Sequence, residues 1–149
     1  MLFRSNDAPT LAFSSSAAAA YTEKSAAIAP FSGSLQLSDP DSASLIGASV
    51  TVLSGYTPGD RLTYTAQSGI SGTWIEASRT LSFSGSASLA TYQALLSSVL
   101  FDSTSANPTA VSASRSLRWQ VDDGSGLNNL STPITSSIAI TAEIGRAHV

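Results

Sequence analysis

The chain contains no cysteine and only one histidine, His148. The first absence excludes disulfide staples, a thiol nucleophile and thiolate-bound zinc. The second leaves no imidazole pair for acid–base work or for a multi-histidine metal centre. Charge is scarce as well: 11% of the 149 residues are Asp, Glu, Lys or Arg, and Lys24 is the only lysine. Seven basic against ten acidic residues give a formal net charge of -3. Clustered basic residues of the kind that neutralise nucleic-acid phosphates are therefore missing. Long apolar runs are missing too. The longest, residues 17–21, is far short of the roughly 20 residues that a membrane-spanning helix needs.

What remains is a chain of one-domain length, rich in Ser, Thr, Ala and Gly, with 42% hydrophobic residues available for a core. Its two ends differ in character from the middle. Glu143-Ile144-Gly145-Arg146-Ala147-His148-Val149 and Leu2-Phe3-Arg4-Ser5 resemble translations of the two partner adapters used in sequencing libraries, and such segments are set apart from fold reasoning. The expected organisation is thus a non-native segment over 1–5, one domain over 6–142, and a non-native tail over 143–149. His148 falls in that tail and carries no functional weight.

Within 6–142 the dominant pattern is short alternation. Ser34-Leu35-Gln36-Leu37, Ala48-Ser49-Val50-Thr51-Val52-Leu53, Arg61-Leu62-Thr63-Tyr64-Thr65, Thr80-Leu81-Ser82-Phe83-Ser84, Ser116-Leu117-Arg118-Trp119-Gln120-Val121 and Ser137-Ile138-Ala139-Ile140-Thr141 each put apolar residues on one face and polar ones on the other. This is the pattern of antiparallel strands with one face buried. Turn signals separate them, among them Pro58-Gly59-Asp60, Asn107-Pro108 and Asp123-Gly124-Ser125-Gly126. Two sheets must cover each other's apolar faces, so the expected fold is an all-β Greek-key sandwich of about seven strands. The Ala17-Ala18-Ala19-Ala20 tract is read as a first strand crossing between sheets. One segment breaks the alternation: Leu89, Tyr92, Leu95 and Leu96 recur at helical spacing behind Ser88, which predicts a short capped helix over 88–97, packed across an open end or side of the sandwich.

The few carboxylates are clustered. Asp39 and Asp41 flank Pro40 just after a predicted strand, Asp122 and Asp123 precede a glycine turn, and Asn6 and Asp7 precede Ala8-Pro9. Taken singly, each motif also suits a turn, since Asp before Pro or Gly accepts bonds from local backbone N–H groups. Taken together, they supply the oxygen donors that a hard cation such as Ca2+ takes six to eight of, at about 2.3–2.6 Å. Glycoside hydrolysis needs paired carboxylates about 5–9.5 Å apart, but no aromatic platform lies near Asp39 and Asp41 in sequence. Serine catalysis lacks both a Gly-x-Ser-x-Gly elbow before a helix and a histidine base. The expectation is no enzyme. Trp74, Trp119, Tyr64, Phe83 and Phe101 sit in alternating runs and are read chiefly as core.

These motifs, in this order, resemble a cadherin-like repeat of large bacterial surface and secreted adhesins. Asn6-Asp7-Ala8-Pro9 is similar to the linker that opens such repeats, and Tyr21-Thr22-Glu23-Lys24-Ser25 to the glutamate-bearing first strand. Leu37-Ser38-Asp39-Pro40-Asp41-Ser42 resembles the paired-aspartate calcium loop, Val121-Asp122-Asp123-Gly124-Ser125 the acidic turn before the last strand, and Ser137-Ile138-Ala139-Ile140-Thr141-Ala142 that strand. The resemblance implies a calcium site at the N-terminal pole formed by Asp39, Asp41 and one of Asp122 or Asp123, joined by Asn6 and Asp7. It implies a second site at the other pole with Glu23, but the Leu-Asp-Arg-Glu motif of animal cadherins is absent, and Glu76, Asp102 or nothing at all stands in its place. It further implies an extracellular or cell-surface location, tandem copies as partners, and calcium that rigidifies the junctions. The rival readings are a carbohydrate- or surface-binding module and an accessory domain of a secreted hydrolase.

Overall fold

The computed structural model describes residues 6–125 and 129–142. The two adapter-like ends, and His148 with them, lie outside the described residues. Ten strands and one helix follow in order: β1 Thr10–Phe13, β2 Ala19–Thr22, β3 Leu35–Ser38, β4 Ser44–Ser54, β5 Asp60–Thr63, β6 Ser71–Ile75, β7 Thr80–Ser88, α1 Leu89–Ser97, β8 Leu100–Ser103, β9 Ser114–Asp122 and β10 Ile134–Thr141. All six alternating runs fall wholly or partly on strands; the alanine tract does so too, but as the second strand and in the large sheet alone, because Thr10–Phe13 precedes it in the β1-β3 pair and the crossing is made by the chain between them. Three short strands, β1, β6 and β8, come in addition to the expected seven.

The fold is an all-β sandwich. One layer is a six-stranded sheet in the order β2-β10-β9-β4-β7-β6, and two strand pairs, β1-β3 and β5-β8, complete the architecture. Every pairing is antiparallel except that of β2 with β10. Leu45, Val50, Val52, Leu81, Leu117, Trp119 and Ile138 of the large sheet join Leu11, Leu35, Leu62 and Phe101 of the pairs in one core. Aromatic rings carry part of this packing across strands. Trp119 meets Phe13 and Phe31 edge-on at 5.4 and 5.6 Å, and Tyr21 meets Phe101 at 5.3 Å, a geometry that suits the ring quadrupoles. The Trp119 Nε1–H also has a partner, the Ser136 hydroxyl at 2.8 Å.

The central strand β4 shows how register adapts to the core. Leu45 and Ala48 are both buried although three residues apart, which strict alternation forbids. The register shifts between Leu45 and Gly47, where two steps along β4 are matched by three along β7 (Ala87 to Ser84), and beyond this irregularity Ala48, Val50 and Val52 face inward. A second close fit lies at Gly85 on β7. Its φ is +132°, and a Cβ there would stand 2.0 Å from the Gly69 carbonyl oxygen, so only glycine lets the chain approach β7 at that point.

The helix is as expected. The Ser88 side chain accepts the Thr91 N–H at 3.1 Å, and Tyr92, Leu95 and Leu96 are its buried face. The Gln93 side chain accepts the Leu37 N–H of β3 at 3.1 Å, and Leu100–Ser103 leaves the helix as β8, so α1 lies beside β3 in the layer opposite the large sheet. Replacing Ser88 by Ala is expected to lower unfolding free energy by about 1 kcal/mol, read by urea denaturation, with no loss of strand signal in the far-UV spectrum.

Candidate metal site

Three segments remote in sequence meet at one end of the large sheet. β9 runs toward this end and finishes at Asp122, opposite Gly47 near the start of β4. The loop after β3 brings Asp39, Pro40 and Asp41, and the entering chain brings Asn6 and Asp7. The Asn6 side chain donates from Nδ2 to Asp123 Oδ2 at 3.0 Å, and the Asp7 backbone N–H donates to the Asp41 carboxylate at 2.5 Å. The structure thus brings together the N-terminal pole residues that the sequence points to.

Three of the carboxylates, Asp39, Asp122 and Asp123, are first turn formers. Asp39 Oδ1 accepts the N–H groups of Asp41 and Ser42 at 2.8 and 3.1 Å. Asp122 Oδ1 accepts the Gly124 N–H at 2.8 Å and the Asn129 side chain at 3.0 Å. Asp123 Oδ1 accepts both the N–H and the hydroxyl of Ser125. These bonds are the turn chemistry expected of Asp before Pro and Gly. They fix where the second oxygen of each group stands.

Asp39 Oδ2 is buried and has no donor facing it. Its carboxyl lies close enough to that of Asp123 to share a proton. Burial, then the neighbouring Asp123 carboxylate, raises the Asp39 pKa against the bonds from Asp41 and Ser42. Burial opposes ionisation of Asp123 as well, but the bonds from Ser125, Asn6 and Asp39 outweigh it and hold that group below its ordinary value. One shared proton, or a cation, relieves the contact; two bare carboxylates repel.

The distribution of charge sharpens the point. Five of the nine described acidic residues, Asp7, Asp39, Asp41, Asp122 and Asp123, stand at this end. The five described basic residues do not. Lys24 follows β2 at the opposite end, Arg79 closes the β6–β7 turn there, Arg115 begins β9, Arg118 lies mid-strand, and Arg61 pairs with Asp102 across β5 and β8 at 2.7 Å. Among the described residues, no group of three or more His, Cys, Asp or Glu is arranged to hold a metal ion. The carboxylates converge as a pair, Asp39 with Asp123, beside Asp41 and Asp122, which face backbone and Asn129 donors.

Glu23 stands at the other pole. Its N–H bonds the Thr141 carbonyl at 2.9 Å, beyond the end of the β2–β10 ladder, and the residue is buried, 4% exposed. The nine residues of β9 separate it from Asp122 by at least about 26 Å. Asp102 is held by Arg61 through both carboxylate oxygens, and Glu76 accepts the Tyr56 hydroxyl at 3.4 Å.

One charged pair was not picked out from the sequence. Asp60 and Arg115 form an ion pair with both side chains fully buried. Arg115 donates from Nε and Nη2 to the two Asp60 oxygens and further to the carbonyls of Pro108, Ser112 and Ser114. The signal was present: Arg115 shares the parity of Leu117, Trp119 and Val121, the inward face of β9.

Compared with protein-family models, with curated proteins and with solved structures, the chain matches none. The functional reading therefore rests on the residues themselves.

Proposed function

We propose that this chain is a non-enzymatic, cadherin-like calcium-binding repeat of a multi-domain extracellular bacterial protein, in which calcium rigidifies the junction between adjacent repeats. The observation that carries the reading is the Asp39–Asp123 contact, a buried carboxylate oxygen without a donor in the end of the domain that holds most of its acids and none of its described bases. The donor types are those a hard cation takes: carboxylate oxygens from Asp39, Asp41, Asp122 and Asp123, and the Asn6 amide, which offers its oxygen instead of Nδ2 after a half-turn of the side chain. Among the described residues these groups stand as the Asp39–Asp123 pair and not as a formed set of three or more ligands, so they would have to close in on the cation. Asp7 sits beside Asp41 on the entering chain. Bound calcium supplies positive charge between groups that otherwise repel.

The mechanical consequence follows from position. The described chain enters at the acidic pole and its last described strand ends at the other, so successive copies would follow one another along the strand direction. A cation held by ligands from the entering segment and from two loops ties that segment to the body of the sandwich. In this reading Glu23, at the far pole, would serve the following junction.

The test is a calcium titration of thermal stability with the full chain. Binding to the folded state alone stabilises it by about 2.7 kcal/mol at one hundred times the dissociation constant, and extracellular modules bind in the range of roughly 0.1–1 mM. We expect the melting temperature to rise with millimolar calcium and not with equal magnesium, whose rigid octahedral demand this open set does not meet. An unchanged melting curve in millimolar calcium would sink the reading.

A further inference from the structure

We propose that the cavity beside the bare edge of β10 is a binding site for a neutral, polyhydroxylated ligand the size of one sugar ring. The cavity follows from the way the chain changes layers. β1 pairs with β3, the chain crosses over residues 14–18, and β2 joins β10 only from Ala19, opposite Ile138. β10 itself starts four residues earlier, at Ile134, where it pairs with β9 alone. Residues 134–137 therefore have a strand on one side and a cavity of about 200 Å³ on the other, lined also by Phe13, Ser15 and Ser32. The backbone at this edge is turned toward the cavity. The Ile140 N–H bonds the Ala113 carbonyl on the β9 side, whereas the Thr141 carbonyl accepts the Glu23 N–H on the β2 side. Residues of an antiparallel strand alternate in this way. The backbone groups of Thr135 and Ser137 thus point as those of Thr141 do, away from β9.

Hydroxyls surround this edge, and several are already oriented. Ser136 accepts the Trp119 Nε1–H at 2.8 Å and Ser15 accepts the Ala17 N–H at 3.2 Å, so each keeps its own proton to donate. Ser32 donates to the Ala18 carbonyl at 3.4 Å and keeps its lone pairs. Ser116 and Ser137, directly opposite one another on β9 and β10, add two more hydroxyls to the lining. Phe13 supplies an apolar wall, held by its ring contacts with Phe31 at 5.0 Å and Trp119 at 5.4 Å. This lining selects its ligand. None of its residues carries a charge, so nothing draws an ion. Hydroxyls donate or accept as needed, which matches the hydroxyls of a sugar, while the C–H groups of the ring suit Phe13. The volume is that of roughly six or seven waters at about 30 Å³ each, room for one ring and not for a long chain. A peptide strand added to a sheet edge draws specificity from pockets for alternate side chains; here hydroxyls stand where such pockets would be, along only four residues.

Trp119 reports on the site from within, because its indole N–H is bound to Ser136. Trp74, the only other tryptophan, lines a separate groove with Tyr64 and Leu81. The experiment follows both indole N–H signals by heteronuclear NMR of the full chain, with Trp74→Phe telling them apart. Glucose, galactose, mannose and N-acetylglucosamine are each titrated to tens of millimolar, the range for a single ring with few contacts. At least one sugar should shift the Trp119 signal along a saturating curve and leave the Trp74 signal in place. Ser137→Ala, which removes one hydroxyl, should raise the dissociation constant about two- to tenfold, the worth of one hydrogen bond. Ala17→Phe, at an exposed position on the rim, should abolish the shift, with far-UV spectra checking that both variants fold. Three results overturn the proposal: no sugar moves the Trp119 signal, both indoles move together without saturating, or folded Ala17→Phe responds like the wild type. A blocked serine dipeptide that shifts Trp119 where no sugar does would make the edge a peptide site and refute the sugar. None of these outcomes depends on calcium, so they are separable from the reading of the acidic pole.

Discussion

Replacing Arg115 by methionine should cost about 3–5 kcal/mol of unfolding free energy, the usual penalty for removing one partner of a buried ion pair. For a chain whose total stability is of order 5–15 kcal/mol, that is a drop of roughly 10–15 °C in melting temperature. The argument rests on what stays behind. Asp60 keeps the Thr57 N–H at 3.0 Å but loses its cation inside the protein, while the carbonyls of Pro108, Ser112 and Ser114 lose their donor. The segment between β8 and β9 then keeps its end bonds, Thr104 N–H to the Gly59 carbonyl and Ile140 N–H to the Ala113 carbonyl, but loses the anchor of its middle, so the amides there should exchange faster in the variant. A double replacement, Arg115→Met with Asp60→Leu, should regain part of the loss because no buried charge is left unmatched. Arg61→Ala is the contrast: that pair is 51% and 21% exposed, and its loss should stay within about 1 kcal/mol. Equal effects from Arg115→Met and Arg61→Ala in urea denaturation would contradict this account.

The same pair marks what sequence reasoning reaches. Alternation identified the strands because period-two burial is imposed locally, residue by residue; the run from Ser116 stopped one residue short of Arg115, whose parity is that of the inner face of β9. It could not name Asp60, fifty-five residues away, because Pro58-Gly59-Asp60 has the composition of a wet turn and only the tertiary fold closes it over Arg115. β6 escaped for a related reason. Its inward residues are Gly72 and Trp74, and one of them has no side chain to register as a periodic apolar position. The register shift between β4 and β7 was likewise hidden, since Leu45 and Ala48 fit no single strand parity until it is known. At the acidic pole the residue types were legible, and so was their meeting, because strand ends of a sandwich gather at its two poles. The pairing of Asp39 with Asp123 was not, since it depends on which oxygen each turn leaves over after its backbone bonds are made.

That pairing yields the prediction that bears most directly on function. In Asp39→Asn the shape is kept and one charge is removed, so the calcium-free protein should become more stable at neutral pH by on the order of 1 kcal/mol, the Coulomb energy of like charges about 4 Å apart in water-like surroundings. Stability of the wild type in chelator should depend on pH in the matching sense. Asp39 has a raised pKa in the folded protein, so the folded state binds its proton more tightly than the unfolded chain does, and stability is gained as pH falls from neutral through that raised value. Asp123 is shifted down, so its contribution is present above the ordinary aspartate range and is lost as pH falls further, through the lowered value. The wild type should therefore pass through a shallow maximum in acid that Asp39→Asn lacks. With calcium the order reverses: the wild type should gain about 2.7 kcal/mol at one hundred times its dissociation constant, whereas Asp39→Asn should gain little, since an amide oxygen is a weaker ligand than a carboxylate. A variant more stable than wild type in chelator and less stable in calcium is the signature of a carboxylate kept at a cost for its cation. If Asp39→Asn matches the wild type in both conditions, the contact is a turn and nothing more.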